Sequence, residues 1–262
     1  MTADRTGAAV WVYGVADGSI DGLPPCVGVD GRHDAAVIRH AGLAAIVSDV
    51  PLATYNVDTL RVTLEDVDRL ERMARAHQRV LDAALMLAPV IPFRFCTIYA
   101  THDHVAEMLA AARPRLEEAL ARLRDTAEWG LKAYLQRGGS RCVKTVVDTP
   151  RSGTAYLARK REARADADAE RRAIVAALDT IHAGLRAHAV EALVRPPEHR
   201  SLSPQEGDMV LNAVYLVADD TLEAFRSAFR ELVQRYASEG LSLAITGPWP
   251  AYHFVSSREL VA

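Results

Sequence analysis

Three places in this chain hold residue types and spacings that could do chemistry. The first is Thr101-His102-Asp103-His104. A His-x-His pair beside a carboxylate can ligate zinc, which takes imidazole nitrogen and carboxylate oxygen in tetrahedral sites. No third ligand of the right kind is evident, and Thr101 and Asp103 are both N-cap residue types at a helix start, so capping is the simpler reading. The second is His77, which shares an apolar helical face with Leu70, Ala74 and Leu81. There it reads as a packed residue bonded to a backbone oxygen rather than as a general base. The third is Arg94, between Phe93 and Phe95 after Pro92. In an extended segment it points away from both phenylalanines. Its guanidinium could pair a carboxylate bidentately, fixing the segment against a helix, or bind a ligand anion.

Other catalytic patterns are missing. Gly14, Gly18 and Gly22 make neither a G-x-G-x-x-G turn nor a Walker loop. No G-x-S-x-G elbow occurs. Cys26, Cys96 and Cys142 are odd in number and widely spaced, without a C-x-x-C pair, and read as reduced, packed thiols. The expectation is a chain without enzyme activity, metal or cofactor.

These residues must be positioned by 262 residues, 50% hydrophobic and 25% charged, the composition of a folded globular chain. A net charge of −3 gives no reason to expect nucleic acid as a partner. No apolar run approaches the ~18 residues of a membrane span, and MTADRTGAAV lacks a signal-peptide layout, so the expected location is the cytoplasm.

Ala8 to Ala16 and Gly42 to Val50 read as strands. Thr63-Leu-Glu-Asp66 reads as a capping box before an amphipathic helix through Leu70, Ala74, His77, Leu81 and Leu85. Ala88 to Ala100 reads as extended. Asp103 can cap a further helix, which Pro114 must kink or restart. Glu128 to Leu135 reads as a strand, and Arg137 to Ser140 as a domain junction. Beyond it lie a short extended piece at Val143 to Val147, a long helix from Tyr156 to His188, a helix start at Ser203 to Glu206, and a strand at Met209 to Ala218. A helix capped at Asp220 and a strand at Leu241 to Gly247 complete the chain. The both-sign charges between Arg159 and Arg172 read as a solvated helix face, or else a partner-facing one. The class is therefore α+β in two domains. Residues 1–138 form an N-terminal, ferredoxin-like domain, and residues 139–262 a C-terminal α+β domain with the long helix and a ferredoxin-like variant sheet.

The chain ends in ITGPWPAYHFV, where Pro248 and Pro250 force it out of a sheet or onto its edge. Tyr252 and Phe254 share one face of any extended piece, and Trp249 can dock across the turn. This reads as an aromatic clasp closing the second domain, or as a partner surface.

Taken in order, several blocks resemble the gas vesicle protein GvpF/GvpL family: VWVYGVA near the start, His77 with Val80 and Leu81, VIPFRFCTIYA, EWGLKAYL, SGTAYLARKR, LNAVYLV and the closing TGPWPAYHFV. They span nearly the whole chain. One position departs, since Cys96 stands where the family pattern has glycine. The resemblance implies an accessory protein of gas vesicle assembly, not an enzyme, that binds the hydrophobic shell protein GvpA or other accessory Gvp proteins. Arg94, Trp249, Tyr252 and Phe254 are the residues expected at the partner surface. The competing expectation is a small-ligand or enzymatic ferredoxin-like protein with a pocket near Arg94 and His77.

Overall fold

The computed structural model describes residues 7–136, 153–197 and 207–255. The chain packs as two units, Met1–Glu128 with Pro248–Ala262, and Trp129–Gly247. The expected junction at Arg137 to Ser140, the piece at Val143 to Val147, the helix start at Ser203 to Glu206 and Cys142 lie outside the described residues.

In the first unit, β1 (Ala8–Asp17) is buried along almost its full length because it lies between neighbours on both sides. One side holds β3 (Leu43–Pro51), itself paired with β2 (Ala36–His40), and the other holds β4 (Val90–Pro92) and β5 (Ile98–Tyr99), all antiparallel. The order β4-β1-β3-β2 is compatible with a ferredoxin-like sheet. Between β3 and β4 run α1 (Leu52–Tyr55), α2 (Val57–Glu65) and α3 (Val67–Leu85), and α4 (His102–Leu123) follows β5. Trp11, Tyr13, Ile46 and Leu81 are fully buried in the shared core.

Local chemistry explains where the helices begin. The Asp66 side chain accepts from the Arg69 amide and caps α3, while Thr63 is buried inside α2. The expected capping box is thereby corrected: an aspartate one residue before the periodic run does the capping. The Thr101 hydroxyl caps α4 by accepting from the His104 amide, and Asp103 sits in the first turn, where a carboxylate complements the helix dipole. Pro114 stands within this single helix. It and Ala110, whose carbonyl loses its intrahelical donor, are both on the exposed face, where solvent can serve that carbonyl.

The second unit follows the order β6 (Thr126–Leu135), α5 (Gly153–Arg186), β7 (Glu191–Arg195), β8 (Asp208–Ala218), α6 (Leu222–Ala237) and β9 (Leu241–Trp249), a β-α-β-β-α-β sequence. Its sheet order is β7-β8-β6-β9, so the two sheets share one strand order without sharing sequence. Tyr215, Leu131 and Phe225 fill the core, and the C-terminal part of α5 adds Ile181 and Leu185. The N-terminal two-thirds of α5, with its mixed charges, is exposed. Thr221, not Asp220, stands at the N-cap of α6; its hydroxyl makes no capping bond and donates instead to the Ala218 carbonyl at 3.1 Å. β9 runs on through Pro248 as an edge strand, where a missing amide hydrogen is tolerated. Among the described residues no helix is long and apolar enough to cross a membrane.

Candidate functional site

The Arg94 segment is a turn rather than a continuous strand. The Phe93 amide donates to the Tyr13 carbonyl across 2.8 Å, closing the ladder onto β1. The Arg94 carbonyl then accepts from both the Thr97 amide (3.1 Å) and the Thr97 hydroxyl (2.7 Å). Cys96 occupies the third position of this turn with φ of +68°, the left-handed conformation that favours glycine. This backbone demand, the one a glycine would meet freely, is met here by a cysteine at some cost. Phe93 and Phe95 point inward and Arg94 outward into solvent, as strand parity led one to expect.

Beneath the turn lies His77, 4% exposed. The Trp11 indole N–H donates to its Nδ1 across 3.0 Å, and among the described residues no backbone oxygen serves the ring. The partner expected from sequence was a carbonyl, and the actual one is an aromatic donor from β1. An Nδ1 that accepts carries no proton, so the neutral ring is protonated on Nε2, which has no hydrogen-bond partner among the described residues. Phe95 meets the His77 and Trp11 rings edge-on at 5.5 and 5.2 Å, and Tyr13 lies 5.1 Å away. Removal from water pushes the imidazole down to about 4, so it is neutral at pH 7. It is sealed from any substrate and joins β1, α3 and the turn.

Tyr13 continues this polar seam. Its hydroxyl bonds Ser48 Oγ at 2.8 Å and accepts from the Val29 amide at 3.0 Å. Burial, partly offset by these bonds, raises the phenol to about 12. A side chain at Gly28 would begin 2.6 Å from Ser48 Oγ and 2.7 Å from the Tyr13 hydroxyl, so only glycine fits there.

The C-terminal segment closes on the first unit, which corrects the expected clasp over the second. Glu128, almost fully buried, accepts from the His253 amide at 2.9 Å and bonds the His253 ring at 2.5 Å. An Arg122 guanidinium nitrogen donates to the Phe254 carbonyl. The Tyr252 hydroxyl donates to Gln78 Oε1 at 3.4 Å. Phe254 is 5% exposed, whereas Trp249 and Tyr252 are 37% and 38% exposed. Tyr252 and Phe254 therefore sit in one segment but differ in role: the phenylalanine anchors, and the tyrosine leaves much of its ring open. Arg94 belongs to the β4–β5 turn. Sequence reasoning missed Glu128, Arg122 and His253, because no local pattern announces a carboxylate that binds 125 residues downstream.

The His102-Asp103-His104 cluster holds no metal-ligand set, and among the described residues no group of three such side chains converges anywhere. His102 Nε2 instead bonds Asp49 Oδ1 at 2.7 Å, tying α4 to β3. Nor does the cavity of about 470 Å³ lie at Arg94 and His77. It is lined by the arginines of α3 and by the loop carrying Val29 and Asp30.

Comparison with known proteins adds a second line of observation. Residues 9–256 match the family described as gas vesicle synthesis protein GvpL/GvpF. The chain is similar to gas vesicle protein L of Streptomyces sp. (strain CB03234), with 31% identity, covering 99% of this chain and 96% of that protein. Gas vesicle protein F2 of Halobacterium salinarum is 26% identical, over 94% of this chain and 91% of that protein. Among solved structures, gas vesicle protein GvpF from Anabaena sp. PCC7120 superposes with a TM-score of 0.67 at 16% identity. That likeness covers 94% of this chain and 95% of that one, and shows a shared fold. GvpF from Microcystis aeruginosa gives 0.65, also at 16% identity, over 94% and 98%.

Proposed function

This chain belongs to the GvpL/GvpF family of gas vesicle synthesis proteins, and on that premise we propose that it binds the shell protein GvpA, other accessory Gvp proteins, or both, during vesicle assembly. The observation that carries this reading is the match of the family over residues 9–256, nearly the entire chain.

The physics of the task supports it. A shell subunit with an apolar face aggregates in water unless something covers that face. A partner that binds the folded, unassembled subunit lowers its free concentration and shifts it away from aggregation by mass action. This chain has uncovered apolar side chains to offer: Val57, Val62, Val67 and Met86, between 68% and 85% exposed, stand along the run from α2 to the end of α3. Arg94 and the open rings of Trp249 and Tyr252 are the further contacts proposed, with Phe254 holding the clasp beneath them. The role is one of binding, carried out in the cytoplasm, without catalysis or cofactor.

Co-expression of this chain with GvpA, followed by pull-down, tests the reading. Co-purification, together with defective vesicles when the gene is deleted, is the expected result. A folded chain that leaves GvpA unbound and a deletion strain with intact vesicles would overturn it.

A further inference from the structure

Helix α3 carries Arg69, Arg72, Arg75 and Arg79 along the cavity of about 470 Å³. Neighbours three or four residues apart on a helix face each other, so this row repels itself. Arg69 also lies in the first turn, where the helix dipole disfavours cations. Three carboxylates share the helix: Glu71 pairs with Arg75 through bonds of 3.0 and 2.5 Å, Asp82 accepts from the Gln78 side chain at 2.7 Å, and Asp68 stands in the first turn. Arg72 and Arg79 are exposed and form no ion pair among the described residues.

The acid that lines the cavity, Asp30, is committed to its own loop. Asp30 accepts from the Arg32 and His33 amides at 2.9 and 3.0 Å and bonds the His33 ring at 2.5 Å. Its side chain is 3% exposed and turned into its own loop. A smaller hollow of about 220 Å³ shares Asp30, Tyr55 and Arg69 with the first and adds Arg32. The cationic surface therefore continues past the end of α3. Its floor is not polar: Val29, Tyr55, Met73 and Ala76, each only 3–6% exposed, lie between the arginines and the loop.

We propose that this cleft docks an acidic amphipathic segment of a partner protein, its carboxylates pairing with the arginine row and its apolar side chains resting on Tyr55, Met73 and Val29. Length selects this occupant. From Arg69 to Arg79 the helix rises about 15 Å, further than one phosphate can bridge. Glutamates or aspartates repeating at helical spacing match the row, and guanidinium forks bind carboxylates bidentately. The apolar strip favours a peptide over a free anion for the same reason. This inference stands on the cleft alone and does not require the partner to be GvpA.

The test uses the full chain and a synthetic helical peptide with glutamates at three- and four-residue spacing beside a leucine face, read by fluorescence anisotropy at several salt concentrations. The glutamate peptide should bind, and weaken as salt rises. The same peptide with glutamines should bind at least roughly tenfold more weakly. The double variant Arg72→Glu, Arg79→Glu should lose binding while its circular dichroism stays native, because both side chains are exposed. A variant that misfolds is replaced by Arg72→Gln, Arg79→Gln, for which the same loss is expected. No binding of the glutamate peptide, equal binding of the glutamine peptide, or unchanged binding by a folded variant would each overturn the proposal. So would arginine-dependent binding of inorganic phosphate or phosphatidylserine vesicles in preference to the peptide.

Discussion

Trp11 gives its indole hydrogen to Nδ1 of His77, and this one bond, 3.0 Å long, ties the central strand of the first sheet to helix α3 beneath the Arg94 turn. A histidine in this position is an acceptor first. Protonation would place a second hydrogen against the indole donor and bury a charge without a counter-ion. The pH dependence of folding follows directly. Burial depresses the folded-state imidazole to about 4, whereas the unfolded chain takes up its proton near 6.5. As pH falls from 6.5 towards 4 only the unfolded state binds this proton, so stability declines over that window and this contribution levels off below it. The full loss is on the order of 3 kcal/mol. Urea unfolding between pH 7.5 and about 4 should show the decline in the native chain, and a folded His77→Gln variant should lack this component. A native chain whose stability is flat from pH 6.5 to 4.5 would contradict the assignment.

The buried Glu128 carboxylate should govern how firmly the C-terminal segment is held. Glu128→Ala removes the acceptor of both the His253 amide and ring, and hydrogen bonds to charged groups contribute roughly 1.5–3 kcal/mol each. Hydrogen exchange at the His253 and Phe254 amides should accelerate by well over tenfold, ahead of exchange in β1. Unaltered exchange would show that the segment is held by other contacts.

Phe254 and Tyr252 should separate anchoring from contact. Truncating the buried Phe254 to alanine should cost about 3–5 kcal/mol, as for a large aromatic in a core. Tyr252→Ala, at a ring left 38% exposed, should cost less than half of that and leave the fold intact. Thermal unfolding of the two variants gives the comparison directly, and equal losses would assign both rings to the core.

Cys96 offers a test of backbone strain. With φ of +68°, Cys96→Gly relieves a left-handed conformation worth roughly 1–2 kcal/mol, while a freer unfolded chain and lost packing take back about as much. The variant should match the native chain within about 1 kcal/mol. Cys96→Val, with a β-branch at a positive φ, should be clearly less stable. A valine variant as stable as the glycine one would mean that the turn relaxes at little cost.

Much of the fold was legible because buried elements write periodic patterns. β1, β8 and α3 bury long apolar stretches and could be read from spacing. β2 and β7 could not: each is a five-residue edge strand with no fully buried residue, so neither carries an alternation to detect. Helix α2 was hidden because only Leu60 and Thr63 are buried along it. The aromatic C-terminus announced itself by composition. Its docking place did not, since Glu128 and Arg122 are joined to it by contacts across more than 120 residues. The arginines of α3 were equally visible as a sequence, but the cleft they line needs the loop at Gly28 to Asp30, which only folding brings there.

The proposal that this chain binds the vesicle shell subunit meets its most direct test in co-expression of the tagged chain with GvpA and measurement of the soluble, co-purified shell protein. The account predicts that GvpA stays soluble and elutes with the chain, and that much of it is lost when Val57, Val62 and Val67 are replaced by serine in a chain that still folds. GvpA that aggregates equally with and without the folded chain, and never elutes with it, would contradict the account.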